Sequence, residues 1–264
     1  MLSYAGKSIG AGWVFGLNEA LDQAGATIGP LLMALILYLH GGFHSGFAVL
    51  LIPALFCLGT LFAARVLHPR PHQLEQGTER SLGTTNLTRA YWIYFVAGAL
   101  IAAGFADFAL IGFHFQKADA VPGDLIPVFY AVAMASGALA SIPLGRLLDR
   151  FGPNISVFAF VISAAAAPLV FLGAFRLALV GMILWGIGMS AQGVLFQAML
   201  TGVIPSEKRS TAFGLFDTGF GVAWFLGSTV MGSLYDKSVL AVALFSMAFQ
   251  LAAIPVIFIA NRKR

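Results

Sequence analysis

The sequence predicts an all-α membrane protein, a polytopic bundle of about eight transmembrane helices. Of its 264 residues, 59% are hydrophobic and only 10% are charged, whereas soluble domains carry about 25% charged residues. The mean hydropathy is +0.89. Continuous apolar runs of helix-spanning length separated by short polar breaks are the second observation behind this prediction.

Eight such runs can be read along the chain, each close to the roughly 20 residues that a membrane helix needs. They cover roughly 13–39, 46–67, 90–115, 125–148, 155–173, 177–204, 211–234 and 239–260. Helices are favoured over a barrel because barrel strands alternate over about ten residues. A helix also satisfies its own backbone hydrogen bonds inside hydrocarbon.

The distribution of Lys and Arg predicts the orientation, since short cytoplasmic loops carry the excess of these residues. With the N-terminus inside, all but Lys117, Arg176 and Lys237 of the 15 Lys and Arg residues fall on the cytoplasmic side. We therefore expect a multi-pass protein of the plasma membrane with both termini in the cytoplasm and the lipid bilayer as partner. The net charge of +4 reflects this bias, so nucleic-acid binding is not indicated.

The polar stretch 68–89, rich in Pro, Gly, Thr and charge, predicts a cytoplasmic linker. It divides the chain into 1–67, with two spans, and 90–264, with six. An internal match lays Phe15–Pro30 on Phe213–Ser228 and predicts a parallel repeat about an axis normal to the membrane.

The segment PLGRLLDRFGPN, residues 143–154 and here called the hairpin, joins two apolar runs. Gly145 and Gly152 would let the helices turn sharply and pack closely. Asp149 is expected to lie against the positive N-terminus of a neighbouring helix. The hairpin is then a charged latch that holds one arrangement of the bundle; the alternative is a solvated turn whose arginines only set topology.

The hairpin resembles the G-x-L-x-D-R-x-G signature of the major facilitator superfamily of secondary transporters. The matching positions, with the arginine inside them, are Gly145, Arg146, Leu147, Asp149, Arg150 and Gly152. That resemblance implies a gating role for these residues. It also implies alternating-access transport of a small-molecule substrate between two helical halves.

The first span is similar to the antiporter motif of the same superfamily at Gly16, Gly25, Gly29 and Pro30, although the motif's closing glycine pair is absent. Gly25 and Gly29 form a G-x-x-x-G face suited to close helix contact, and Pro30 would kink the helix. Tight packing alone, exchange of substrate for protons, and coincidence all remain open explanations.

Set on the superfamily pattern, the chain looks like helices five to twelve of twelve. Met1 is then an internal methionine, a misassigned start or the start of a fragment. Two functions stay open: proton-coupled efflux of a small solute, or a non-transporting fragment or partner subunit of a transporter that lacks its first four helices. The sequence has no signal for substrate identity or oligomeric state.

Acids and amides inside the apolar runs are candidates for binding protons or substrate, because they are costly in hydrocarbon. They are Asp107, Glu19, Asp22, Gln192 and Asp217. Asp107 is the deepest and is expected at mid-helix in the third span; the resemblance implies that this span lines the central cavity. For Asp107, the alternative is a structural hydrogen bond to a neighbouring helix. For the other acids, it is favourable placement near a helix dipole. For Gln192, it is a hydrogen bond between helices.

Catalytic and cofactor signatures fail on inspection, so we expect no enzyme activity and no cofactor. Gly6, Lys7 and Ser8 imitate a P-loop, but the required first glycine and the preceding strand are missing. The histidine pairs are interrupted by Gly or Pro, and no ligand cluster completes a metal site. Cys57 is alone, so no intramolecular disulfide can form.

Overall fold

The computed structural model describes residues 10–39, 42–67, 87–205 and 208–261. Most of the predicted linker, the P-loop imitation and the question of the start at Met1 lie outside these residues. The described chain is helical throughout, apart from short turns, which confirms the all-α class.

The helices carry the following names and bounds: α1 Ala11–Tyr38, α2 Phe43–Leu67, α3 Arg89–Gly104, α4 Phe108–Lys117, α5 Ile126–Phe151, α6 Ile155–Ala164, α7 Ala166–Leu172, α8 Phe175–Ala191, α9 Gln197–Thr201, α10 Arg209–Tyr235 and α11 Val239–Asn261. Short 3-10 turns cover Gly123–Leu125 and Gly152–Asn154, and a π-helical segment, Gln192–Phe196, joins α8 to α9.

These elements form eight rods that follow the eight predicted runs, since α3 with α4, α6 with α7, and α8 with α9 each continue one run. Within the described residues, five segments are long and apolar enough to cross a membrane: His44–Ala63, Arg89–Lys117, Gly123–Leu172, Phe175–Thr201 and Val239–Ala260. The third of these contains the turn at Gly152, so it holds two rods. Helices α1 and α10, of 28 and 27 residues, are not among the five.

The core lies in the six later rods, where two clusters of buried apolar side chains are formed mainly by α3 to α11. Helix α1 packs chiefly on α5 and also contacts the π-helical segment, whereas α3 packs on α10 and α11. Helix α2 is almost wholly exposed. Helices α1 and α10 begin at Ala11 and Arg209, the same offset as the internal sequence match.

The third run is broken, and this corrects the prediction for Asp107. Helix α3 ends at Gly104, α4 begins at Phe108, and Asp107 lies in the break as the N-cap of α4. Its Oδ1 accepts a hydrogen bond of 2.8 Å from the backbone N–H of Leu110. Asp107 is therefore not a mid-helix group, and its carboxylate satisfies a donor that the helix start leaves free.

Side chains from other helices satisfy the backbone at this break. The carbonyl of Gly104 accepts from Ser246 Oγ at 2.6 Å and from Gln250 Nε2 at 3.3 Å. The carbonyl of Ala106 accepts from Trp185 Nε1 at 2.8 Å. Non-helical backbone at membrane depth is tolerated where protein groups surround it in this way.

Candidate functional site

The first turn of α1 is held by a carboxylate of the hairpin. Asp149 Oδ1 accepts from the N–H of Gly12 at 2.9 Å, and Oδ2 accepts from the N–H of Trp13 at 2.8 Å. These N–H groups have no partner inside α1, which begins at Ala11. The predicted placement of Asp149 at the N-terminus of a neighbouring helix is confirmed, with the favourable dipole interaction that this geometry gives.

Backbones of α1 and α5 touch directly beside this contact. A methyl group added at Gly12 would collide with the carbonyl oxygen of Gly145, and one added at Gly145 would collide with the carbonyl of Gly12. One turn later, a methyl group at Gly16 would lie 2.7 Å from the carbonyl oxygen of Ser141. Glycine is required here because the two helices approach without side chains between them.

The other hairpin residues divide into those that reach α1 and those that do not. Arg146 Cζ lies 4.2 Å from the centre of the Trp13 ring, a cation–π contact that adds to the Asp149 hydrogen bonds. Gly152 ends α5 with a φ of 71°, so the predicted sharp turn is confirmed. Leu147 is exposed, and Arg150 lies over the ring of its neighbour Phe151.

The antiporter-like residues of α1 do not act as one packing face. Gly16 lies in the contact with α5, but a methyl group at Gly25 or Gly29 would meet no atom within 4 Å in the described part of the chain. The expectation of close packing at this pair is therefore wrong for the described residues. Helix α1 continues through position 30 to Tyr38.

A second polar contact joins α1 to the sixth rod. Glu19 Oε1 accepts from Gln23 Nε2 at 2.8 Å, while Oε2 lies against Gly193 in the π-helical segment. Gln23 is 3% exposed. Gln192 is also buried, but its Nε2 donates to Gly188 O at 3.2 Å within its own rod.

The remaining acids lie apart from these contacts. Asp22 is exposed on α1, Asp217 is exposed on α10, and Asp107 caps α4. The structure therefore brings Gly16 and Glu19 into the junction of α1 with α5 and the π-helical segment, and it leaves the other three acids outside it.

Four residues of the site were missed from the sequence. Gly12 and Trp13 bind Asp149 through backbone N–H groups, which have no residue-type signal. Gln23 had a usable signal, because it lies four residues after Glu19 and such pairs meet on one helix face. Gly193 had none, since its role depends on a helix distant in sequence.

A bundle of long apolar helices is the architecture of a polytopic membrane protein. The chain belongs to the major facilitator superfamily, whose sequence model matches residues 11–228. That superfamily consists of secondary transporters, which agrees with the resemblance of the hairpin.

The chain is similar over most of its length to proteins of mycobacteria and of an archaeon. The chain is 29% identical to uncharacterized proteins of Mycobacterium tuberculosis and Mycobacterium bovis, over 98% of this chain. It is 26% identical to an uncharacterized MFS-type transporter of Methanocaldococcus jannaschii, over 88% of this chain. The chain spans 64% of the length of the mycobacterial relatives and 59% of the archaeal one. No solved structure gives a significant match.

Proposed function

We propose that this chain is transport machinery that moves a small solute across the plasma membrane by alternating access, exporting it in exchange for protons. The observation that carries the proposal is the pair of hydrogen bonds that the Asp149 carboxylate accepts from the N-terminus of α1. Membership of the superfamily supports the transporter class. The match at Gly16, Gly25, Gly29 and Pro30 favours antiport.

The contact between α1 and α5 is tight at Gly12 and Gly16. Gly25 and Gly29, which meet no described atom within 4 Å, lie on the opposite face of α1 by helical periodicity. Movement of α1 away from α5 would break two charge-assisted hydrogen bonds and one cation–π contact at the N-terminus of α1. The free energy of a few such contacts suits a conformational switch, because two states that interconvert must differ by only a few kcal/mol.

The proposed orientation puts both termini and the hairpin in the cytoplasm. The support is the Lys and Arg distribution along the whole sequence. The close contact of Gly12 and Gly16 with α5 would then lie on the cytoplasmic side.

A second candidate is a protein that transports only after a partner completes the bundle. The exposed apolar surface of α2 favours it, because Leu51, Ile52, Phe56 and Phe62 are all more than half exposed. Such a surface contacts either lipid or another helix.

The proposal is tested by flux in vesicles loaded with a pH-sensitive dye. Addition of a transported solute should dissipate an imposed proton gradient. Asp149→Asn should slow this dissipation about fivefold, because a neutral amide replaces the carboxylate that accepts two charge-assisted hydrogen bonds. Asp236→Asn, an exposed acid after α10, is the matched control. Gradient-dependent flux that appears only when a longer relative is co-expressed would favour the partner candidate. Complete absence of such flux in both cases would reject transport.

A further inference from the structure

We propose that Glu19 is the proton-binding group of this chain, and that its protonation state controls the fit of α1 against the π-helical segment. The inference rests on the proposed transport function and deepens it by naming the coupling residue. It is carried by the contacts of the Glu19 carboxylate and by the charges that surround it.

Glu19 lies where α1, which carries it, packs against the π-helical segment. Its carboxylate is half-buried, hydrogen-bonded on one oxygen by Gln23 and pressed with the other against Gly193. A methyl group at Gly193 would lie 2.7 Å from Glu19 Cδ and collide with Oε2. The missing side chain at Gly193 therefore forms the seat of the carboxylate.

Among the described residues, the elements packed on α1 at this level offer no counter-charge. The sixth rod has no ionisable side chain between 177 and 205, and α5 has none between 131 and 145. Helix α2 contacts α1 near its far end, where Gly46 meets Met33. On α1 itself, the neighbouring ionisable group is the exposed Asp22, an acid like Glu19 and therefore not a counter-charge.

The cations of the hairpin are also displaced along the helix. Arg146 lies over Trp13, six residues before Glu19 and so about 9 Å away along the α1 axis. Loss of contact with water, without a paired cation, disfavours the ionised form of a carboxylate. Under the proposed alternating access, Glu19 takes a proton from water on one side of the membrane and returns it to water on the other.

The π-helical segment makes the junction responsive to this proton. Such segments have irregular backbone hydrogen bonding and often mark functional positions. One turn before Gly193, the hydroxyl of Ser190 is buried against Gly137 and has no hydrogen-bond partner in the described chain. The neutral carboxyl fits this junction, whereas the ionised carboxylate favours separation of α1 and access of water.

Infrared spectroscopy of the purified chain in lipid tests proton binding without any transport assay. A protonated carboxyl C=O band that titrates with pH is expected in the wild type. Glu19→Gln should abolish it, and the control Asp22→Asn should retain it. Persistence of the full band in Glu19→Gln would overturn the inference. If this variant loses the band while wild-type vesicles show no flux, the proton site stands and the transport proposal fails.

A double-mutant cycle tests the contact between Glu19 and Gly193. Gly193→Ala should lower the thermal unfolding midpoint when Glu19 is present and should have little effect in the Glu19→Ala background, where the colliding oxygen is gone. Gly214→Ala is the control, because a methyl group there meets no described atom within 4 Å. An equal loss of stability from Gly193→Ala in both backgrounds would contradict the proposed seat.

Discussion

Alanine at Gly12 or Gly145 is expected to lower the free energy of unfolding by about 1 to 3 kcal/mol, the usual cost of overpacking a tight contact. Each added methyl group would collide with the backbone carbonyl of the facing helix, which cannot move aside as a side chain can. The two helices would have to separate, and the Asp149 hydrogen bonds would lengthen with them.

The opposite sign is expected at Gly25 and Gly29. Alanine meets no described atom within 4 Å there, and it favours a helix over glycine by up to about 1 kcal/mol. Denaturant titration in mixed micelles, followed by tryptophan fluorescence, measures all four variants under one condition. Equal destabilisation at the two pairs of positions would show that α1 does not pack as the structure has it.

Asp107 is expected to tolerate asparagine and not alanine. Asparagine caps a helix as well as aspartate does, whereas alanine at an N-cap costs about 0.5 to 2 kcal/mol. The lost cap would expose the N–H of Leu110 at a helix break inside the bundle, so the cost should be at the upper end of that range.

The variants Asp107→Asn and Asp107→Ala also distinguish a helix-capping role of Asp107 from a role in proton coupling. Proton-coupled flux and unfolding free energy are measured for both, with the exposed Asp124 (changed to Asn and Ala) as the matched control. Stability lost only in Asp107→Ala, with coupling kept in Asp107→Asn, supports the capping role. Loss of coupling in Asp107→Asn at unchanged stability would instead place this acid in the proton path.

The rods could be predicted from the sequence because hydrocarbon imposes one strong constraint, a long apolar run with internally satisfied backbone. The break in the third run could not be predicted in this way. No proline marks it, and its stability depends on Ser246, Gln250 and Trp185, which come from rods distant in sequence. The one local signal was Asp107 itself, a residue type that favours N-caps.

The candidate site was likewise predictable in part from the sequence. The hairpin was predictable because charge is rare in this chain and Asp149 needs a favourable partner. The identity of the partner was not predictable, because it is backbone N–H at the start of α1. The G-x-x-x-G pair at Gly25 and Gly29 was misleading, since a small-residue pattern does not say which helix lies opposite it.

The seat of α1 on the hairpin is the central claim, and crosslinking measures it most directly. In a background with Cys57 replaced by serine, Trp13→Cys and Arg146→Cys would be treated with a short, membrane-impermeant, bifunctional thiol reagent. We expect a crosslink in inside-out vesicles only, with a lower yield when Asp149→Asn is added. No crosslink in either vesicle orientation, although both cysteines react with a monofunctional maleimide, would contradict the account.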